Sequence, residues 1–231
     1  MSKRDEWKYW NERIRNTKDD DLGSVYKEFY DSFSLAPPVG NYYSPNTDKF
    51  TMPKICLKDE ILAGMILEKQ VKSVLEIGFW DPKLIVNLGL RGIPRVDGVD
   101  CLKSAIVAAN MGIVNFPLEY SDRFHFYHAL AEDLTGLPKY DVVTNICLEH
   151  CRDPQRVITE NLKHVNPGGY YYLTTPWKHG CDSQDHLWHW MTDDDLRKYF
   201  PDNLTPIFIK TRFMETSPRL NYYIVSVRLE G

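Results

Sequence analysis

VKSVLEIGFWDPKLIVNLGLRGIPRVDGVD, residues 71–100, is the stretch whose reading decides the fold. An apolar run (Val71, Val74, Leu75, Ile77) closes on Glu76-Ile77-Gly78. A tight turn, an amphipathic segment and a second short apolar run ending at Asp100 follow. This is a strand–turn–helix–strand unit with an acid at the tip of the second strand, about 20 residues beyond the glycine, where nucleotide-binding α/β domains keep a ribose-gripping carboxylate. The unit points to a cofactor that contains adenosine.

Outward from it, apolar strands alternate with helical periodicity. Strands are predicted at 71–77, 95–100, 124–128, 139–146, 169–175, 206–212 and 221–228, and helices at 82–90, 102–111, 154–165 and 192–199. Such alternation predicts an α/β fold, a doubly wound, mainly parallel seven-stranded sheet covered on both faces. The last two strands have no helix between them and are expected to pair as an antiparallel hairpin at one edge. Residues 1–70 read as an N-terminal helical cap in front of a domain spanning 71–231. Within the cap, helices are predicted at 5–16, 24–33 and 57–69, with Asp19-Asp20-Asp21 as a charged break and a Pro- and Tyr-rich loop over 34–53.

The 231 residues suit one elaborated domain, and 43% hydrophobic content is enough for a real core. A net charge of -4 without a local basic patch gives no pull toward nucleic acid. The N-terminus MSKRDEWKYWNERIRN lacks the apolar core of a secretory signal, and no run approaches the roughly 20 apolar residues of a membrane span. The five cysteines (Cys56, Cys101, Cys147, Cys151, Cys181) form no C-x-x-C pair, which argues for free thiols and a reducing, cytoplasmic setting. Cys147 and Cys151 lie four apart, but a zinc site there lacks its second pair.

The ordered series of motifs from Val71 to Glu230 resembles the class I S-adenosylmethionine-dependent methyltransferases, closest to the small quinone- and sugar-type members. Its pieces are Val74-Leu75-Glu76-Ile77-Gly78, Val99-Asp100, Ala131-Glu132-Asp133-Leu134, Tyr140-Asp141-Val142-Val143 with Leu148-Glu149-His150, and Asn166-Pro167-Gly168-Gly169. The resemblance implies S-adenosyl-L-methionine as cofactor and a small-molecule acceptor, a sugar or an aromatic ring. It implies a cofactor site of Glu76, Gly78, Phe79, Trp80, Asp100, Cys101, Ala131, Glu132, Asp133, Asn145 and Ile146. Asp100 would take both ribose hydroxyls, a carboxylate in Ala131-Glu132-Asp133 the adenine amino group, and the main chain from Asn145 to His150 would flank the methyl. In one place the chain departs from the family: the usual turn E-x-G-x-G-x-G reads Glu76-Ile77-Gly78-Phe79-Trp80-Asp81-Pro82, with one glycine left. Asp81 as N-cap and Pro82 at the first helical position would still start a helix well. The missing glycines count against a dinucleotide, whose pyrophosphate needs close backbone approach.

Three histidines are candidate bases. His150 follows the fourth domain strand, and His186 and His189 lie in Trp177–Trp190 (WKHGCDSQDHLWHW), which also carries His179, Asp182 and Asp185. This segment leaves the fifth strand at the ligand-binding edge, so its tryptophans are expected to wall a substrate pocket closed from above by Trp7 and Trp10 of the cap. His150 reads equally as a residue that orients the following helix. His186 and His189, three apart, also permit a metal, ranked behind a substrate pocket and a structural loop; no metal is expected. Two readings of function stay open: methyl transfer to an oxygen or nitrogen of a small molecule, or a catalytically inactive methyltransferase-like binding or scaffold module, for which the Trp80/Pro82 turn is the best support.

Overall fold

The computed structural model describes residues 3–32, 37–177, 186–212 and 221–230, with the side chains of 3–7, 30, 212 and 221 outside that description. The chain opens with α1 (Lys3–Asn16) and α2 (Asp19–Ser32), followed by a short hairpin of β1 (Tyr43–Ser44) and β2 (Lys49–Phe50) and by α3 (Leu57–Leu67). The alternating part runs β3 (Ser73–Ile77), α4 (Lys83–Leu90), β4 (Arg95–Asp100), α5 (Lys103–Ile113), α6 (Leu118–Ser121), β5 (Phe124–His128) and β6 (Tyr140–Asn145). A 3₁₀ turn at Leu148–His150 leads into α7 (Pro154–Lys163), β7 (Val165–Pro176), α8 (Asp193–Arg197), β8 (Ile207–Arg212) and β9 (Asn221–Arg228).

The seven-stranded sheet has the order β5-β4-β3-β6-β7-β9-β8. β5, β4, β3, β6 and β7 are parallel, while β9 is antiparallel to both β7 and β8. This is the doubly wound sheet with a C-terminal antiparallel hairpin. The strand order reverses between β3 and β6, so the carboxyl ends of β3, β4 and β6 face a crevice, the place where open α/β sheets bind ligands. β3 has four consecutive buried residues, Val74–Ile77, as a strand covered on both faces requires.

Two apolar clusters cover the two faces of the sheet. One joins Leu62, Ala63 and Ile66 of α3 with Leu84, Ile85 and Leu88 of α4 and Ala105 and Ala109 of α5. The other packs Val157, Ile158 and Leu162 of α7 against Leu75, Val143, Tyr171 and Val225. A third, smaller cluster is formed by Trp10, Ile14, Leu22, Val25, Tyr26 and Phe29 of α1 and α2 with Leu187.

The ends of several elements differ from the sequence expectation for physical reasons. Asp19-Asp20-Asp21 is not a break but the first turn of α2, where three carboxylates meet the positive end of the helix dipole. Asp81 does not cap α4: Pro82 holds that position without a side-chain bond, and the Asp81 carboxylate pairs instead with Lys83 at 2.5 Å. α7 is capped as its sequence suggests, with the Asp153 side chain accepting from Arg156 N–H and Pro154 in the first turn. Among the described residues, no helix is long and apolar enough to cross a membrane.

One polar knot sits inside this frame. Asp97 of β4 is fully buried. Its carboxylate accepts from Arg95 Nε at 3.0 Å and Nη2 at 2.7 Å, and from Tyr140 Oη at 2.6 Å, with His125 Nδ1 at 3.1 Å. Burial pushes the Tyr140 phenol well above its usual range, with the Asp97 hydrogen bond adding to that, so the ring stays a donor. Tyr140→Phe is expected to cost about 1.5–3 kcal/mol, the range for a hydrogen bond to a charged group, read as a lower urea midpoint at unchanged slope.

Candidate cofactor and active site

A cavity of about 640 Å³ opens where the crevice was expected. Its lining comes from the tips of β3 (Glu76, Ile77), β4 (Val99, Asp100) and the turns that follow them, from Ala129–Glu132 after β5, and from Ile146, Cys147, His150 and Cys151 after β6. Tyr26 of α2 reaches in from the cap, and Cys56 and Asp59 from the start of α3.

The turn after β3 is built around Gly78, at φ +77°. A Cβ there would lie 2.3 Å from both Cβ and Sγ of Cys147. Only glycine lets the β3 turn and the segment after β6 approach this closely. Gly78 N–H donates to Val99 C=O at 2.8 Å, and Ile146 N–H donates to Ile77 C=O at 3.1 Å, so the three strand tips are laced together. Trp80, in the place of the family's second glycine, also adopts a left-handed backbone at φ +44°. The turn therefore keeps a glycine-type conformation with a tryptophan side chain. This is strained for a residue with a Cβ. The strain is offset by Asp100, whose Oδ2 accepts from Trp80 N–H at 2.9 Å while Oδ1 accepts from Leu102 N–H at 2.8 Å. Each oxygen retains a further lone pair for a ligand.

Three acids are buried in this cavity. Glu76 is 1% exposed and its Oε2 has no hydrogen-bond partner; Glu132 is 4% exposed with Oε1 in the same condition. Burial pushes the carboxyl pKa of Glu76 well above the ordinary range, and that of Glu132 and Asp100 upward as well. Buried acceptors without partners, on residues that line a cavity, call for an explanation, and a ligand rich in donors supplies one.

Of the residues nominated from sequence, Glu76, Gly78, Phe79, Trp80, Asp100, Cys101, Ala131, Glu132, Ile146 and His150 line the cavity. Asp133 and Asn145 do not. The Asp133 carboxylate turns outward and accepts from Thr135 N–H and Oγ1; in Ala131-Glu132-Asp133 it is Glu132 that faces inward. The Asn145 side chain is fully buried, donating to Asn161 Oδ1 at 2.9 Å and accepting from Cys147 N–H at 3.0 Å. It thereby sets the path of the chain toward Ile146. His186 and His189 stand outside the lining, although the His150 and His186 rings are 4.9 Å apart. Tyr26 and Asp59 had no sequence signal of their own, because what places them there is packing between distant segments.

The tryptophan segment corrects an expectation. Trp177 and Trp190 are core residues, packed on Tyr223 and Tyr199 respectively, and neither lines the cavity at the strand ends. Trp188 meets the cap: its Nε1–H donates to Cys151 C=O at 2.7 Å and Arg15 stacks over its ring. Trp10 lies in the cap cluster against Leu187 and Trp188, so cap and segment do meet. The cap is latched by Asp19, which pairs with both Arg152 and Arg156. His179, Cys181, Asp182 and Asp185, and the Trp7 side chain, lie outside the described residues.

Comparison with known proteins agrees with this geometry. A family model described as a methyltransferase domain matches residues 56–210. The mitochondrial ubiquinone biosynthesis O-methyltransferase of Candida albicans is 28% identical over 124 residues, 53% of this chain and 38% of that protein. The ubiquinone biosynthesis O-methyltransferase of Vibrio atlanticus is 33% identical over 107 residues, 45% of this chain and 43% of that one. The chain thus spans less than half the length of these curated relatives. Among solved structures, the 1,6-didemethyltoxoflavin-N1-methyltransferase of Burkholderia thailandensis, with bound 1,6-didemethyltoxoflavin and S-adenosylhomocysteine, superposes with a TM-score of 0.60 at 15% identity, over 100% of this chain and 92% of that one. The N-methyltransferase NodS of Bradyrhizobium japonicum, in complex with S-adenosylhomocysteine, gives 0.59 at 14%, over 74% and 86%.

The buried acids carry a pH signature. A carboxyl whose folded pKa is raised binds its proton more tightly in the native state, so its contribution to stability is greatest below the unfolded carboxylate pKa and is lost as pH rises through the folded value. Glu76→Gln and Glu132→Gln are each expected to raise the melting temperature at pH 7–8 and to flatten its fall from acidic to neutral pH, read by differential scanning calorimetry between pH 4 and 8.

Proposed function

The chain belongs to the methyltransferase-domain family and has the fold of the class I S-adenosylmethionine-dependent methyltransferases, and from that premise we propose that it transfers a methyl group from S-adenosyl-L-methionine to an oxygen or nitrogen of a small-molecule acceptor. The observation that carries this reading is the convergence of three buried carboxyl side chains, Glu76, Asp100 and Glu132, on the lining of one cavity at the strand ends. The cavity fits the cofactor group by group. Glu76 and the Gly78 backbone suit the ammonium-bearing amino-acid part, Asp100 the ribose hydroxyls, and Glu132 the adenine amino group. Each carboxyl is an acceptor set against a donor.

When bound, the cofactor supplies a sulfonium methyl with a good leaving group. The chain's own residues then have to align, exclude water and move a proton. Ile146 and Cys147 wall the end of the cavity next to His150. Tyr26 Oη donates to His150 C=O at 3.0 Å and accepts from Arg152 N–H at 3.2 Å, so the cap is bonded to the main chain that carries His150. His150 is the base we propose for a hydroxyl acceptor, with the His186 ring 4.9 Å from it and His189 exposed. The relatives are ubiquinone biosynthesis O-methyltransferases, and an aromatic acceptor carrying a hydroxyl is the first class to try, ahead of a sugar. The scaffold reading rests on the tryptophan in the cofactor turn, and binding measurements separate the two.

S-adenosylhomocysteine is expected to bind in isothermal titration and to raise the melting temperature. Asp100→Ala should weaken it by about 1.5–3 kcal/mol, roughly tenfold to 150-fold, while the protein stays folded. No heat and no melting shift at millimolar ligand would leave the scaffold reading standing.

A further inference from the structure

We propose that Tyr26 of α2 is a positioning residue for the reaction: acting through the main chain, it sets where the His150 ring stands, and the N-terminal cap thereby belongs to the machinery of the base. The inference rests on the methyl-transfer reading with His150 as its base, and adds to it how that base is held.

The turn after β6 does not satisfy its own backbone. Within the 3₁₀ turn, the Cys147 carbonyl accepts from His150 N–H at 3.0 Å and the Leu148 carbonyl from Cys151 N–H at 3.1 Å. Cys151 then leaves the turn in an extended conformation, at φ -79° and ψ 144°. The next three carbonyls, of Glu149, His150 and Cys151, therefore lack a following turn of N–H groups to meet them. Each is taken by a group from elsewhere in the chain. Glu149 C=O accepts from Leu187 N–H at 2.8 Å and from Trp188 N–H at 3.3 Å. Cys151 C=O accepts from Trp188 Nε1–H at 2.7 Å. His150 C=O, between them, accepts from the Tyr26 hydroxyl at 3.0 Å.

Tyr26 is fixed well enough to serve as that pin. It is 5% exposed, and its ring belongs to the cap cluster with Trp10, Leu22 and Phe29. Its oxygen accepts from Arg152 N–H at 3.2 Å, so the hydroxyl proton is directed to His150 C=O. The main chain is thus held on both sides of the His150 Cα, by the turn through N–H and by the cap through C=O. The Arg152 guanidinium carries the grip to the junction of the two cap helices, donating to Thr17 C=O and pairing with Asp19. So placed, His150 keeps Nε2 at 3.9 Å from Glu149 Oε1 and its ring centroid at 4.9 Å from that of His186. A base must stand within hydrogen-bond reach of the proton it takes, and a displacement of about an ångström can cost roughly 100-fold in rate. Removal of the phenol oxygen falls mainly on His150: the Arg152 N–H is shared with the Glu132 carboxyl and keeps that partner, whereas His150 C=O loses the donor from the cap.

The test is Tyr26→Phe, which keeps the ring in its packing and removes only the hydroxyl. Trp188→Phe removes the neighbouring bond to Cys151 C=O, and Lys27→Ala, on the exposed side of α2, is the control. The full-length protein is saturated with S-adenosylhomocysteine, and the His150 Cε1–H resonance is assigned through His150→Gln. One sharp line is expected in the wild type and in Lys27→Ala, and a doubled or broadened line in Tyr26→Phe and Trp188→Phe. This resonance is read in folded, ligand-bound protein, so a loss of stability alone does not move it, and it decides the inference whatever the acceptor proves to be. With catechol as the acceptor probe, Tyr26→Phe should lower kcat by roughly tenfold to 100-fold and leave KM for S-adenosyl-L-methionine unchanged. A His150 line in Tyr26→Phe identical to the wild type overturns the inference. So does a loss of S-adenosylhomocysteine affinity in Tyr26→Phe as large as the loss in kcat, which would make Tyr26 a cofactor contact. Failure of the wild-type protein to bind S-adenosylhomocysteine fails the methyl-transfer reading instead.

Discussion

The Asp100 carboxylate accepts one backbone N–H from Trp80 and another from Leu102, and this double bond to the main chain is what the cavity depends on. Parallel pairing brings the tips of β3 and β4 side by side, Ile77 opposite Val99. Pairing alone does not define the loops beyond those tips. Asp100 ties the turn after β3 to the start of α5, so two walls of the cavity are set by one side chain. It also holds Trp80 in a left-handed backbone that a tryptophan does not adopt by preference. Gly78 completes the arrangement, since its missing Cβ is the space taken by Cys147.

Around that anchor the protein keeps groups that folding alone would reject. Glu76, Asp100, Glu132 and Glu149 are all buried, and burial raises the pKa of every one of them. Glu76 and Glu132 each have an oxygen without a partner. Contrast Asp97, equally buried but surrounded by Arg95, Tyr140 and His125. The Asp97 knot is satisfied by the fold itself, whereas Glu76 and Glu132 each keep one carboxyl oxygen that the fold leaves without a hydrogen bond. Unpaired buried acceptors cost stability, and proteins keep them where function uses them.

Much of this was legible in the sequence. The alternation of strand and helix patterns places β4, β5 and β9 at their observed limits. Glu76, Gly78, Asp100 and Glu132 are legible because each sits at a strand tip, and strand tips of this fold share one edge. What the sequence hid is long-range packing. Nothing in Trp177–Trp190 tells that Trp177 and Trp190 fill the core while Trp188 serves the cap, since an aromatic residue carries no mark of which side it will face. The proximity of His186 to Glu149 comes from two backbone bonds across 38 and 39 residues of chain, and spacing arguments see only neighbours such as His189. Asp19-Asp20-Asp21 was misread for a local reason: a run of acids suggests solvent, but at a helix start it is stabilising.

The central claim is that one cavity, built on the tips of β3, β4 and β6, holds the adenosyl cofactor with Asp100 and Glu132 on its ribose and base. A crystal structure of the protein grown with S-adenosylhomocysteine tests this most directly. The account requires the ribose hydroxyls within hydrogen-bond distance of Asp100, the adenine amino group on Glu132, and the sulfur next to Ile146 and Cys147. Density for the ligand elsewhere on the molecule, or the ligand in the cavity with Asp100 and Glu132 both out of reach, would contradict it.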